Sequence, residues 1–378
     1  MKILFYQWKS FLNEGIERAL RELEYPYDIL FYQQTDWEQD DVFLEKLREK
    51  IRTKEYDKVF SVNFAPLVAE VCEEFSVEYI CWIYDSPIHI RNLDTLKYKC
   101  SRIYCFDREQ TKQLKVLGAN AIHLPLATDV RIWEEALSKE TAKKVPPAEI
   151  SLVGNLYQTD YAYFTRPLDE YVKGYLEGIV SAQLKIYGGY LIPELVTDVL
   201  LEKMNACYRR VASDGFLMGR RELEFLLASE VTGRERYLAL SLLSAHFPVD
   251  LYSTKPDERL KNVEFRGYAD YQTTLPAVFA KSRINLNISL KTICSGIPLR
   301  VIECMGCGGF VLTNYQEEIL EHFVPGEECV VYENLEDLYE KAAFYLAHEE
   351  ERKRIAQAGY ERICRDFSMK DRIQKMLG

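Results

Sequence analysis

The segment 291–310, KTICSGIPLRVIECMGCGGF, contains the side chains of this sequence that are best suited to hold a phosphorylated ligand. Lys291 and Arg300 can each supply positive charge to a phosphate group. A helix that begins within Ser295–Leu299 would add free backbone N–H groups and the positive end of its dipole. The segment therefore predicts an anion site, for which phosphate is the commonest ligand.

Glu303 lies at the far end of the same short helix, where its carboxylate could accept hydrogen bonds from two sugar hydroxyls. Pro298 suits the first turn of a helix, and the glycines within 306–309 suit its end, because glycine readily adopts the left-handed conformation of a C-cap. The spacing alone also allows a second interpretation. Arg300 and Glu303 would then form an ion pair on a buried crossover helix, and no ligand would bind.

The elements around this segment are predicted to be strand, loop, helix and strand, since the apolar runs 284–290 and 310–313 flank it. Earlier in the chain, apolar strands alternate with amphipathic helices. Alternation of this length predicts a parallel, doubly wound α/β sheet with helices on both faces. The predicted strands of this first sheet are Lys2–Tyr6, Tyr27–Tyr32, Val59–Val62, Tyr79–Tyr84, Arg102–Phe106 and Ala121–Leu126.

Candidate catalytic residues follow these strands, because doubly wound sheets bind ligands at the carboxyl ends of their strands. Asp85 could take a proton from the hydroxyl of an acceptor substrate, or it could only cap a helix. His89 in the same loop could assist, or it could be an ordinary loop histidine. Asn13 and Glu14 are predicted acceptor contacts, although Glu14 also suits the first turn of a helix for electrostatic reasons alone.

The chain is long enough for two domains that each bury a core. Periodicity is lost over residues 132–149, which predicts a linker, and a mostly helical insertion interrupts the second α/β domain. The insertion is predicted to serve the acceptor or a homodimer contact, because its apolar pairs Leu200-Leu201 and Leu226-Leu227 need a partner surface. The predicted organisation is an N-terminal Rossmann-like domain at 1–133, a linker at 134–149, a C-terminal Rossmann-like domain at 150–350 with the insertion at about 160–230, and a helical tail at 351–378.

Composition and charge exclude several classes of function. The net charge of −11 disfavours binding to nucleic acid or to an anionic membrane, and no apolar run approaches the roughly 18 residues that a membrane span needs. The chain begins with a strand pattern and not a signal peptide, and its ten cysteines lie mostly in apolar patterns, as buried thiols do. We therefore expect a cytoplasmic protein. Cys304 and Cys307 form a C-x-x-C motif, but no second pair accompanies it, which disfavours a metal site.

The order of residues in the motif Gly296-Ile-Pro-Leu-Arg-x-x-Glu-x-Met-x-x-Gly-Gly309, followed by an apolar strand, resembles the donor-binding signature of group 1 glycosyltransferases with the GT-B fold. More closely, it resembles the spore-maturation-type branch, which is similar to glycosyltransferase family 4. Further segments that follow the order of that family are 106–107, 124–128, 263–268, 281–287 and 332–335.

The resemblance implies two Rossmann-like domains that face each other across a cleft, with the acceptor in the first and a nucleotide sugar in the second. It implies that Glu303 holds the ribose hydroxyls, and that the loop and helix start at Ser295, Gly296, Ile297 and Pro298 hold the diphosphate. Asn155 and Tyr157 are predicted to contact the donor, or else to form a packed strand end. The remaining predicted donor residues are Gly154, Tyr268 and Asn287.

One position departs from the pattern of the family. Retaining members carry a second glutamate eight positions before the one that matches Glu303, and here that position is Ser295. The sequence therefore leaves open whether the reaction retains or inverts the configuration of the sugar. The sequence also has no D-x-D motif, so we expect no metal and no cofactor, with UDP, GDP or dTDP as the nucleotide of the donor.

Together these features predict a metal-independent glycosyltransferase that moves a sugar from a nucleotide-diphosphate sugar to a hydroxyl acceptor on a glycan, a lipid-linked molecule or a protein. Two alternatives stay open. One is a GT-B-shaped epimerase of sugar nucleotides, and the other is a non-catalytic scaffold that binds a nucleotide sugar.

Overall fold

A computed structural model of the protein describes residues 1–212 and 214–378. The chain divides into two compact units. The first unit comprises Met1–Glu135, Ser295–Gly306 and Tyr360–Gly378, and the second comprises Ala136–Cys294 and Cys307–Gly359. The segment that contains Arg300 and Glu303 therefore packs with the N-terminal part of the chain.

The first unit is built on a six-stranded sheet in which every pair of neighbouring strands is parallel. The strand order is β2-β1-β3-β4-β5-β6, which is the doubly wound arrangement that the alternating pattern predicts. These strands are β1 (Ile3–Gln7), β2 (Tyr27–Phe31), β3 (Lys58–Val62), β4 (Glu78–Ile83), β5 (Ser101–Cys105) and β6 (Ala121–His123).

The second unit contains another six-stranded parallel sheet, in the order β12-β11-β10-β7-β8-β9. The strands of this second sheet are β7 (Ala148–Val153), β8 (Val249–Tyr252), β9 (Val263–Gly267), β10 (Ser282–Asn287), β11 (Val311–Asn314) and β12 (Val330–Tyr332). The prediction of two Rossmann-like α/β sheets is thus confirmed.

Helices connect the consecutive strands of the described chain, except β8 and β9, and several begin with residues that favour the start of a helix. The Asp40 side chain accepts from the N–H of Phe43 at the start of α2, and Pro66 occupies the first turn of α3. In chain order the helices are α1 (Asn13–Glu22), α2 (Asp41–Thr53), α3 (Pro66–Phe75), a 3-10 helix (Leu93–Lys97), α4 (Arg108–Val116), α5 (Val130–Leu137), α6 (Glu140–Lys143), α7 (Tyr161–Thr165), α8 (Glu170–Leu184), α9 (Ile192–Leu195), α10 (Asp198–Val211), α11 (Arg220–Ser244), α12 (Leu275–Lys281), α13 (Leu299–Gly306), α14 (Glu317–His322), α15 (Leu335–Ala347), α16 (Glu349–Asp366) and α17 (Met369–Leu377).

The stretch 134–149, predicted as a linker, contains the end of α5, all of α6 and the start of β7. The insertion at about 160–230 consists of α7 to α10 and the first part of α11. It has a hydrophobic core of its own, in which Leu200 and Leu227 are buried and Leu201 and Leu226 pack against the same cluster. These apolar pairs therefore need no outside partner, contrary to the expectation from the sequence.

The ten cysteines are free thiols, and Cys304 and Cys307 are both buried. Within the described residues, none of the helices combines the length and the apolar character that crossing a membrane requires.

Candidate active site

Asp85 and Asn63 follow two neighbouring strands at the carboxyl edge of the first sheet. Val62 pairs with Trp82 in the β3–β4 register, so the residues after both strands leave the sheet at the same level. The Asn63 amide donates to the Asp85 carboxylate (2.6 Å), while its own oxygen accepts from the backbone N–H of Tyr84 (3.0 Å). Asn63 adopts a left-handed conformation (φ 59°), which asparagine tolerates better than most residues. Asn63 thus orients the Asp85 carboxylate.

The electrostatic surroundings of Asp85 suit a proton acceptor. The side chain is exposed, yet desolvation by the protein around it raises its pKa above the ordinary aspartate value. The hydrogen bond from Asn63 and the charge of His89 act in the opposite direction. The structure therefore brings Asp85 and His89 together, as the sequence predicted for the loop after β4.

Trp8 follows β1 at the same edge of the sheet. Its indole N–H donates to the Val62 carbonyl (2.8 Å), and its ring lies nearly parallel to that of Tyr84, with centroids 6.4 Å apart. The predicted acceptor residue Asn13 donates its amide N–H to the Trp8 carbonyl (2.7 Å). Glu14 lies in the first turn of α1, where Arg18 pairs with it at 3.0 Å. Asn13 thus supports Trp8, and Glu14 has the local role that its position also allowed.

Asp107, after β5, contacts the loop that was predicted to bind phosphate. Its carboxylate accepts hydrogen bonds from the backbone N–H groups of Ser295 (3.0 Å) and Gly296 (3.1 Å) and from the Ser295 hydroxyl (3.2 Å). It also caps α4 by accepting from the Gln110 N–H (2.9 Å), and it is 0% exposed. The groups predicted to hold the diphosphate therefore bind an internal carboxylate in this structure.

Gly296 is required by this close approach. A Cβ at position 296 would lie 2.9 Å from the Asp107 Cα and from the ring of Phe106, which is closer than carbon atoms normally approach. Sequence reasoning identified Phe106 and Asp107 only as part of a family pattern. The residue before a helix suggests a cap, but a contact across 188 positions leaves no local signal.

Glu303 lies on α13 with a side chain only 2% exposed, and Arg300 donates to its carboxylate at 3.0 Å. Arg300 keeps 30% of its side chain exposed. Ile297 and Pro298, just before α13, are buried. Burial is the main cause that raises the pKa of Tyr84, and the negative charges of Asp85 and Glu303 raise it further. Glu303 thus lies within electrostatic range of the residues at the first sheet edge.

In the second unit, Asn155 and Tyr157 surround Arg236 of α11. The Arg236 guanidinium donates to the carbonyls of Asn155 and Ile288 and lies 4.9 Å from the centre of the Tyr157 ring. The N–H of Gly154 donates to the carbonyl of Tyr252 (3.0 Å). These contacts hold the backbone that follows β7. The Asn155 side chain is exposed and that of Tyr157 is half-buried, so the contact of both residues with the donor stays a prediction.

Lys291 forms a buried ion pair that the sequence did not suggest. Its ammonium lies 2.7 Å from the carboxylate of Glu235 on α11, and the two side chains are 8% and 0% exposed. The ammonium also lies 4.6 Å from the centre of the Tyr187 ring. The charge of Lys291 is thus compensated inside the second unit.

Two further predicted donor residues lie in the same unit. Asn287 donates to the Thr313 hydroxyl (2.9 Å). Tyr268 is exposed.

The structure distributes the predicted site residues over both units. Those in the first unit are Asn13, Glu14, Asp85, His89, Ser295, Gly296, Ile297, Pro298, Arg300 and Glu303. Those in the second unit are Gly154, Asn155, Tyr157, Tyr268, Asn287 and Lys291.

Comparisons with known proteins agree with this fold. Residues 231–378 match the model of the glycosyl transferase-like family. A comparison with curated proteins finds no match.

Three similar solved structures are HepE from Anabaena in complex with UDP-glucose, a glycosyltransferase from Rickettsia africae, and sucrose-phosphate synthase from Thermosynechococcus elongatus. Their TM-scores are 0.57, 0.57 and 0.56, and their sequence identities are 12%, 12% and 11%. All three alignments cover 100% of this chain, and they cover 99%, 96% and 97% of the other chains. Residues 231–378 are therefore similar to the glycosyl transferase-like family, and the chain as a whole has the GT-B fold.

Proposed function

We propose that this protein is a glycosyltransferase that moves a sugar from a nucleotide-diphosphate donor to a hydroxyl acceptor. The observation that carries the proposal is the family match over residues 231–378, which contain Arg300 and Glu303 within a chain of GT-B fold. The similar HepE structure holds UDP-glucose, which supports a UDP-sugar as the first donor to test.

In the proposed donor site, the ribose hydroxyls donate to the buried carboxylate of Glu303. The partly exposed guanidinium of Arg300 stabilises negative charge on the leaving diphosphate. Lys291 contributes little charge to the diphosphate, because Glu235 compensates it. Asp107 holds the loop at Ser295 and Gly296 and thereby fixes the start of α13. In this proposal Arg300 is the main cation for the diphosphate.

In the proposed reaction, the Asp85 carboxylate takes the proton from the acceptor hydroxyl. The acceptor oxygen bonds to the anomeric carbon as the bond between that carbon and the donor phosphate oxygen breaks, and the nucleoside diphosphate leaves. A raised pKa makes Asp85 a stronger base, and the bond from Asn63 sets its direction.

The finer assignments are proposals as well. The motif from Gly296 to Gly309 supports membership of the spore-maturation-type branch, and the sequence without a D-x-D motif supports metal-independent transfer. The free and mostly buried cysteines support a location in the cytoplasm. A homodimer contact through the insertion at about 160–230 is proposed as well. The insertion buries a core of its own, so such a contact would use exposed side chains, of which Tyr163 and Tyr171 are large and aromatic.

A non-catalytic scaffold is the second candidate. One observation favours it, which is that the groups predicted to bind phosphate are bound to three carboxylates of the protein itself. Asp107 binds the N–H groups of Ser295 and Gly296, Glu235 binds Lys291, and Glu303 binds Arg300.

The test begins with a thermal-shift panel of UDP, GDP, dTDP and their sugars. A ligand at about 100 times its dissociation constant stabilises a protein by roughly 2.7 kcal/mol, which raises the melting temperature by degrees. The stabilising donor is then incubated with the protein alone. Slow release of free sugar and nucleoside diphosphate supports the transferase, interconversion of the nucleotide sugar supports an epimerase, and binding without either reaction supports the scaffold.

A further inference from the structure

Three aromatic side chains at the carboxyl edge of the first sheet have no part in the proposed donor site or proton transfer. We call Trp8, Trp37 and Tyr84 the aromatic platform. Trp8 lies nearly parallel to Tyr84, at an interplanar angle of 17°, and meets Trp37 edge to face with centroids 5.2 Å apart. The three rings therefore form one continuous group.

The platform is half-buried, unlike the other two tryptophans of the protein. Trp82 and Trp133 are fully enclosed, whereas Trp8, Trp37 and Tyr84 each keep part of their surface exposed. Large aromatic side chains contribute most to stability when water is excluded from both faces of the ring. The incomplete burial of three adjacent rings at a ligand-binding sheet edge suggests that a ligand covers them.

The loops that carry the platform are held in place by polar contacts. Trp8 is fixed through its indole N–H to Val62. On either side of Trp37, the Asp36 carboxylate accepts from the Arg91 guanidinium (2.6 Å), and the Glu38 carboxylate accepts from the Asn92 N–H (2.8 Å). The rings are thus positioned before any ligand binds, which lowers the entropy lost on binding.

A carboxylate and an amide lie beside the platform. Asp85 follows Tyr84 directly in the chain, and Asn63 follows Val62, the residue to which Trp8 donates. Planar apolar surface therefore adjoins strong hydrogen-bond acceptors. A pyranose ring has the complementary pattern, since its C–H groups form apolar faces with partial positive charge and its hydroxyls lie around the edge. The C–H face suits the electron-rich face of an aromatic ring, and the hydroxyls suit a carboxylate.

We propose that the aromatic platform is the acceptor subsite and that the acceptor hydroxyl belongs to a carbohydrate. The proposal rests on the proposed glycosyl transfer for its biological meaning, but the binding itself does not depend on a donor. A lipid chain would suit the rings but not the adjoining Asp85 carboxylate, which would lose water without gaining a hydrogen bond.

The test is a titration of the full-length protein, without donor, by methyl glycosides of glucose, galactose, mannose and N-acetylglucosamine and by maltose and cellobiose, followed by tryptophan fluorescence. We expect at least one saccharide to change the emission of Trp8 and Trp37 in a saturable way. Trp8→Leu should raise the dissociation constant about tenfold, the loss expected for one aromatic contact of about 1.4 kcal/mol. The matched control Trp133→Phe, which changes an enclosed tryptophan, should keep the wild-type affinity.

A second readout covers the case in which Trp8→Leu does not fold. Saturation-transfer NMR on the wild-type protein should show that the C–H protons of the saccharide are closest to the protein. The proposal is overturned if no saccharide binds, if Trp8→Leu folds and binds as the wild type does, or if octyl glucoside binds while methyl glucoside does not. Saccharide binding without release of nucleoside diphosphate from any donor would refute the transferase but keep the subsite. Donor hydrolysis without saccharide binding would do the reverse.

Discussion

The carboxyl edges of the two sheets differ in how their polar groups are satisfied. At the first edge, Asp85 is exposed, holds one amide hydrogen bond from Asn63 and lies beside half-buried aromatic rings. At the second edge, Asn287 is buried against Thr313, and Lys291 is buried against Glu235. The first edge therefore offers groups that a ligand can reach, whereas polar groups of the second edge are bound to each other.

The difference indicates a division of labour within the proposed reaction. An exposed carboxylate with a raised pKa can exchange a proton with a substrate, which suits the acceptor side. Buried, mutually bonded polar groups hold a fixed shape, which suits the scaffold around a donor. Substitutions at the first edge should therefore change turnover, and substitutions at the second edge should change stability.

The largest effect is expected at the buried ion pair. Lys291→Met leaves the Glu235 carboxylate buried without its cation, so the free energy of unfolding should fall by about 3–5 kcal/mol in a denaturant titration. The double variant Glu235→Leu/Lys291→Met is the control and should recover most of that loss. A stable Lys291→Met protein with weakened nucleotide binding would contradict the structural role and restore Lys291 to the donor site.

At the first edge, Asp85→Asn should lower kcat by at least about 100-fold, the contribution of a general base, while the melting temperature barely changes. Asparagine keeps the shape of aspartate but cannot accept the proton. Asp94→Asn is a matched control, because Asp94 is an exposed aspartate of the nearby 3-10 helix whose carboxylate pairs with Lys97. Full activity in Asp85→Asn would show that another group accepts the proton, either His89 or the departing phosphate of a retaining reaction.

Asp107 combines features of both cases, because its carboxylate is buried and also holds the loop that is proposed to bind the diphosphate. Asp107→Ala should destabilise the protein by about 1.5–3 kcal/mol, the value of a hydrogen bond to a charged group. Asp107→Asn should cost less, since asparagine also caps helices well. Thermal unfolding of both variants checks this order, and equal stability of Asp107→Ala and the wild type would show that the loop is held by other contacts.

The raised pKa of Asp85 predicts a smaller, pH-dependent effect. The base acts as a carboxylate, so kcat should fall as the pH drops through the raised pKa, at a higher pH than an ordinary aspartate would give. The folded state binds this proton more tightly than the unfolded chain. Asp85 therefore favours folding most at low pH, and this contribution is lost as the pH rises from the ordinary value through the raised one. A pH–rate profile of Asp85→Asn that kept the same acidic limb would contradict the assignment.

The fold and part of the site could be predicted from the sequence because they depend on local patterns. The period of apolar residues predicts strands such as β1 and β4, and Pro298 and the glycines after residue 305 bound α13 correctly. The motif from Gly296 to Glu303 is contiguous, so it is visible in a single sequence.

The contacts that decide the roles of these residues are not local. Asp107 meets Ser295 across 188 positions, and Lys291 meets Glu235 on α11, a helix whose sequence has polar and apolar residues on every side. Whether a charged side chain meets a ligand or an internal partner depends on such tertiary contacts. The sequence could therefore identify Lys291 and Ser295 as candidates, but it could not show that both have internal partners.

Calorimetric titration of the nucleoside diphosphate that gives the largest thermal shift tests the division between donor and acceptor residues most directly. In one series, the dissociation constant is measured for the wild type, Glu303→Ala and Asp85→Asn. The account predicts that Glu303→Ala weakens binding by about 1.5–3 kcal/mol, because the ribose loses a charged hydrogen-bond acceptor, and that Asp85→Asn binds as the wild type does. Unchanged affinity in a folded Glu303→Ala protein, or a loss confined to Asp85→Asn, would contradict it.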